Sequence, residues 1–240
     1  MLSDIFNTLF TKWSKHNFLE PILLVSMVYS IFNMAIMPKK SKLHTYFLIG
    51  LSLHSICFLL TQIYPFIHPN KSGIYKKQFI LIINNFLIII EYIIFSYFYL
   101  KTLNNIFFKK IITTIGWLLF PSVTIVQFLS IDKYNNTINT ASFALNSIEF
   151  ITILIVSLRY FFETTQSKSQ VNLINDENFR ISSAILIYIS SSLPYITCGS
   201  YLFNTNFNVY TVLSTIHYLA ICTLFILIAN SFKTNTQNQI

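Results

Sequence analysis

Seven apolar segments, each near the ~20 residues that a helix needs to cross the hydrocarbon of a bilayer, fill this chain almost from end to end. They lie at about 18–37, 43–66, 78–101, 111–131, 140–162, 180–203 and 209–232. In lipid every backbone polar group must be satisfied within its own segment, so such a run has to be helical. The pattern predicts an all-α integral membrane bundle of seven transmembrane helices, with one transmembrane domain at 18–232. The longest connection, Glu163 to Phe179, is too short to fold on its own, and KTNTQNQI after Phe232 reads as a short cytoplasmic tail at 233–240.

Composition agrees with that class. Hydrophobic residues make up 54% of the 240 positions and charged residues 10%, with a mean hydropathy of +0.59, more apolar sequence than one soluble core can bury. The net charge of +8 resides in short Lys and Arg clusters between the spans, where such residues orient helices and meet lipid headgroups. Nucleic acid is therefore a poor partner and the lipid bilayer the expected one. Cys57, Cys198 and Cys222 all fall inside apolar runs, without CxxC spacing, and read as small packing residues rather than a disulfide or metal framework. No cofactor is implied.

Residues 1–17 read differently. Leu2, Ile5, Phe6, Leu9, Phe10 and Trp13 recur at helical spacing opposite Asp4, Asn7, Thr8, Thr11, Lys12 and Lys15, which predicts an amphipathic helix on the membrane surface. The basic n-region and small-residue cleavage pattern of a signal peptide are missing from it.

Orientation follows from the basic residues. Lys39, Lys40, Lys42, Lys101, Lys109, Lys110, Arg159, Lys168, Arg180 and Lys233 fall on one face, ten in all, against six on the other: Lys12, Lys15, Lys71, Lys76, Lys77 and Lys133. This asymmetry places the N-terminus outside and the C-terminus in the cytoplasm.

The most informative residues are polar ones inside the spans. Glu91 sits near the centre of NNFLIIIEYIIFSYFY (84–99). A carboxylate there costs roughly 2.5 kcal/mol or more on insertion scales, so it should face the bundle interior and have a partner. Asn84 and Glu91, seven residues apart, share one face of span three, while Asn85, Tyr92, Ser96 and Tyr99 form the adjoining stripe. Span five has Ser142, Asn146, Glu149 and Tyr160 on one side, with Glu149 as its single intramembrane carboxylate. His54 in span two and His217 in span seven lie at similar depth at 1.5 Å of rise per residue. We expect Glu91, Glu149, His54, His217, Asn84 and Asn146 to gather around one polar pocket. Low dielectric disfavours the charged form of a carboxyl, and a carboxyl beside a histidine suits proton-linked switching or recognition of a cationic or hydrogen-bonding ligand entering from the outer side. Each residue also has a plainer explanation, because polar side chains in spans stabilise helix contacts by about 0.6 kcal/mol on average.

Several named classes do not fit. Retinal chemistry needs a lysine in the last span, and Val209 to Phe232 has none. The inner end of span three, SYFYLKTL, has no acidic-Arg-aromatic triplet, and span seven has no NPxxY-like element, which argues against G-protein-coupled receptors. Zinc-dependent seven-span hydrolases need Asp and several His at matched depth, and no span contains Asp. Gly199-Ser200 with His217 lacks the glycine-rich packing of an intramembrane serine protease. No catalytic constellation is recognised, so the chain is not read as an enzyme.

Asn84-Asn85 followed by a mid-span Glu91, the aromatic close of span five (SLRYFFE) and a polar loop leading into FRISSAILIYISSSLPYI together resemble a family of small, largely uncharacterised bacterial seven-span membrane proteins, which are similar to the seven-helix sensory modules of histidine kinases. The family's usual Pro-aromatic-Trp start to span six is replaced here by Asn178-Phe179-Arg180. The resemblance implies a bacterial inner-membrane location and a sensory or signalling-associated role, with output through a partner such as a membrane kinase or other signalling protein. It brings no catalytic residues. The alternatives are an accessory subunit of a larger membrane complex, or a small transporter or channel, although the broken-helix pairs and inverted repeats of transporters are not evident.

Overall fold

The computed structural model describes residues 19–37, 41–67, 73–132, 136–167, 173 and 176–237. The expected surface helix at 1–17 lies outside them. Seven helices account for nearly all of the described chain: α1 Leu19–Ala35, α2 Lys42–Ile67, α3 Gly73–Thr102, α4 Ile106–Asp132, α5 Asn136–Ser167, α6 Glu177–Thr205 and α7 Phe207–Gln237. Six are long and apolar enough to cross a membrane. The first, with 17 residues, is about 26 Å long at 1.5 Å per residue and is the short member of the transmembrane bundle. The last helix continues to Gln237, into the stretch that reads from sequence as a tail.

Polar side chains set the helix ends. Asp176 precedes α6 and accepts a hydrogen bond from the Phe179 N–H at 3.1 Å. Asn105 accepts from Phe107 N–H at 2.9 Å at the start of α4, Ser41 Oγ accepts from His44 N–H at 3.0 Å at α2, and Asn206 accepts from Val209 N–H at 3.2 Å at α7. Each satisfies a donor that the first helical turn leaves unpaired. Inside the spans, hydroxyls turn back on their own helix: Ser55 donates to Leu51 O and Ser157 to Ile153 O, a local solution where no water is at hand.

Sequence neighbours pack against each other all the way round, α7 closes against α1, and α3 also packs against α5. That extra contact draws α3 inward, and it is the most buried of the six long helices while α4 is the least. On α1 the buried residues Glu20, Leu23, Met27, Ser30 and Met34 form one stripe toward the bundle. Val25, Val28, Phe32 and Ile36 lie exposed on the other side. Trp117, Ile125 and Phe128 of α4 likewise point outward, an apolar exterior that suits lipid.

The stripe of α3 that adjoins Glu91 knits the bundle together. Asn85 donates to Gln127 Oε1 of α4 at 3.1 Å and accepts from Ser142 of α5. The Tyr92 hydroxyl donates to the Ile112 carbonyl of α4. The Tyr99 hydroxyl bonds Ser157 of α5 at 2.6 Å and Ser182 of α6 at 3.0 Å. A glycine allows a close helix contact: a Cβ on Gly50 of α2 would overlap the Ile94 side chain of α3, the role small residues take between membrane helices.

Candidate functional site

Glu91 of α3 has two partners on two other helices. Its Oε1 lies 3.0 Å from Nδ1 of His54 on α2. The Tyr188 hydroxyl of α6 donates to both carboxyl oxygens, at 3.2 Å to Oε1 and 3.0 Å to Oε2. All three residues are buried, Tyr188 almost completely. The close contact of Gly50 with Ile94 explains how α2 comes so near: Gly50 is one turn before His54 on α2, and Ile94 is one turn beyond Glu91 on α3. The His54 ring is held edge-on against Phe225 of α7, with centroids 5.6 Å apart.

These three residues form the floor of a cavity of about 360 Å³, within the range of roughly 300 to 1,000 Å³ typical of small-molecule sites. His54, His217, Asn84 and Asn146 line it together with Glu91. Asn84 is exposed and Asn146 half-buried. The His217 ring stacks on Tyr195, with centroids 4.7 Å apart and planes within 18°, and lies 6.2 Å from the Tyr188 ring.

Glu149 is placed differently. It is fully buried and close enough to Glu91 and Tyr188 to act on both electrostatically. It is not among the residues lining the cavity, although its helix neighbours Asn146 and Phe150 are. Neither Glu149 oxygen has a hydrogen-bond partner among the described residues. Of the six residues expected around one pocket, five share the cavity wall and Glu149 stands behind it.

The cavity has a direction. Its lining comes from α2 between its middle and its C-terminus (His54, Thr61, Gln62), from α3 up to just past its middle (Asn84, Glu91) and from the N-terminal half of α7 (His217), and Glu20 at the start of α1 contributes from the same side. Further along the same helices the interior is solid: Phe47, Phe98, Tyr99 and Phe225 are buried to 0% exposure. Phe98 packs on Phe47 at 6.0 Å and on Tyr99 at 4.9 Å between ring centroids. Space thus runs from the end of the bundle that carries the start of α1 to about mid-span, and aromatic packing takes over below Glu91.

Four further lining residues with ionisable side chains, Tyr188, Tyr195, Tyr218 and Glu20, were not singled out from sequence. Tyr188, Tyr195 and Tyr218 belong to a chain with 14 tyrosines, where no single one stands out. Glu20 lies at the start of a span and falls on the stripe Leu23, Met27, Ser30, Met34 that faces the bundle, a period that is visible in the sequence. Among the described residues, no three His, Cys, Asp or Glu side chains come together in a group that could hold a metal ion. Compared with known proteins, the chain matches no family model, no curated protein and no solved structure.

Proposed function

We propose that this chain is a small sensory membrane protein that binds a ligand in the cavity above Glu91 and passes its occupancy to a partner protein in the membrane, such as a kinase or another signalling chain. The observation that carries the reading is the one-sidedness of the cavity: polar groups line it from the α1 end down to Glu91, His54 and Tyr188, and packed aromatic rings fill the bundle beyond. A site reached from one side and closed at the other suits detection. A channel or transporter needs a route that reaches both faces in turn. The floor joins α2, α3 and α6, so a ligand that alters the Glu91 contacts acts on three helices at once, which is the differential contact a two-state switch requires. The resemblance of spans three, five and six to seven-helix sensory modules points the same way.

Two measurements test it. In proteoliposomes that contain the protein alone, no flux of protons, Na⁺ or K⁺ is expected, and thiol reagents should label Thr61→Cys and Asn84→Cys, in a background without the native cysteines, from one side only. Flux, or labelling from both sides, moves the protein to the transport class. Site-specific crosslinking in the native membrane should give a reproducible adduct with a signalling chain whose yield changes in Glu91→Gln. An adduct unaffected by that change would reduce the protein to an accessory subunit.

A further inference from the structure

The charge and ring content of the cavity wall are at odds with the rest of the chain. Sixteen Lys and Arg outnumber eight Asp and Glu overall, yet among the described residues the cavity lining includes two carboxyls, Glu20 and Glu91, and no Lys or Arg. Behind the wall stands a third carboxyl, Glu149, fully buried and without a hydrogen-bond partner among the described residues. Aromatic rings supply much of the remaining surface: Phe58 from α2, Phe143 and Phe150 from α5, Tyr188 and Tyr195 from α6, and Tyr218 from α7.

We infer that the ligand of this cavity is an organic ammonium, held between the Glu91 and Glu20 carboxyls and the surrounding aromatic rings. The inference rests on the reading of the cavity as a binding site and names what that site takes. Carboxylates inside a low-dielectric wall favour a positive guest, and aromatic faces attract ammonium groups through their quadrupoles, most strongly where water is excluded. Hard metal cations need a dense shell of oxygen ligands, and among the described residues no three His, Cys, Asp or Glu side chains come together to supply one. His54 and Tyr188 use only part of the hydrogen-bonding capacity of Glu91, since a carboxylate has about four lone-pair sites and three contacts are made. The same chemistry is available from a soluble amine and from an amine-bearing lipid headgroup.

The test compares choline with 3,3-dimethylbutanol, its neutral carbon analogue of the same shape, on the full chain in nanodiscs of phosphatidylglycerol alone. Binding is followed by saturation-transfer NMR and by protection of Asn84→Cys from thiol labelling. Choline is expected to bind about tenfold more tightly than the alcohol, with the preference lost in Glu91→Gln and reduced in Glu20→Gln. Glu20 belongs to α1, which makes none of the Glu91 contacts, so Glu20→Gln keeps the test open if Glu91→Gln does not fold. Repeating the measurement with phosphatidylethanolamine in the discs separates the sources: a headgroup ligand abolishes the choline effect there, and a soluble ligand leaves it intact. If the alcohol binds as well as choline and neither Glu change matters, the ammonium inference is overturned while the binding site stands. If neither compound binds or protects Asn84→Cys, the ammonium inference fails, and two-sided labelling of that cysteine would remove the binding site as well.

Discussion

At the scale of single residues, Glu91 illustrates why a charged group within a span is informative. Its carboxyl can reside there because His54 and Tyr188 reach it at 3.0 Å from two other helices. Removing one partner of such a group leaves the others buried and unsatisfied, which costs more than the bond itself contributes. Tyr188→Phe should therefore destabilise the protein by about 1 to 3 kcal/mol. In a Glu91→Gln background the same substitution should cost clearly less, since the partner it serves has changed. Thermal unfolding in nanodiscs of the two single variants and the double variant measures the coupling, and additive effects would show that the Tyr188 contact carries no energy. Glu91 and His54 were legible in the sequence because ionisable groups are rare in apolar runs. Tyr188 was not, because an amphipathic tyrosine is at home at many depths and its partner is 97 residues away. Glu149 shows the limit from the other side: helical spacing directs it inward, and it is fully buried, but whether an inward carboxyl meets a cavity or a packed wall depends on the neighbouring helices.

At the scale of elements, the seven helices were legible to within a few residues, because hydrocarbon thickness fixes span length and the caps at Ser41, Asn105 and Asp176 are short polar residues next to apolar runs. Which helix lies inside was not legible. The central position of α3 comes from contacts such as Asn85 with Gln127 and Tyr99 with Ser157, between residues that look interchangeable in a chain rich in Asn, Ser and Tyr. Gly50 is the element-scale feature with the sharpest consequence. Its missing side chain is what lets α2 lie against Ile94 of α3, one turn from the His54–Glu91 pair. Gly50→Ala forces Ile94 aside, and overpacking of that kind typically costs about 1 to 3 kcal/mol. Gly50→Leu should part the two helices and break the His54–Glu91 contact, so it should resemble a His54 variant in ligand protection as well as in stability. Pairing Gly50→Ala with Ile94→Ala should recover most of the loss. If Gly50→Leu unfolds no more easily than the parent protein, the close approach is not what positions the site.

At the scale of the whole molecule, the two ends of the bundle differ in chemistry. One end holds the cavity mouth, with Glu20, Gln62 and Asn84 on its wall. The other end has two of its cations tied into the helix ends: Arg159 pairs with Glu163 at 3.0 Å, Glu163 accepts from the Asn104 N–H between α3 and α4 at 3.0 Å, and Arg180 donates to the Ser231 carbonyl of α7 at 2.8 Å. The ten-to-six excess of Lys and Arg lies at this second end, and cytoplasmic connections are the ones enriched in such residues. The expected arrangement therefore has the cavity open to the outside and the Arg159–Glu163 end in the cytoplasm, where a signalling partner would read it. Glu163 gives that end a second use of its charge. By binding the Asn104 N–H it ties the α3–α4 connection to α5. Reporter fusions placed after Lys109 and after Lys168 should both read cytoplasmic, since both positions belong to the same end. An external signal at either would invert the molecule, put the cavity mouth on the cytoplasmic side, and make any ligand an intracellular one.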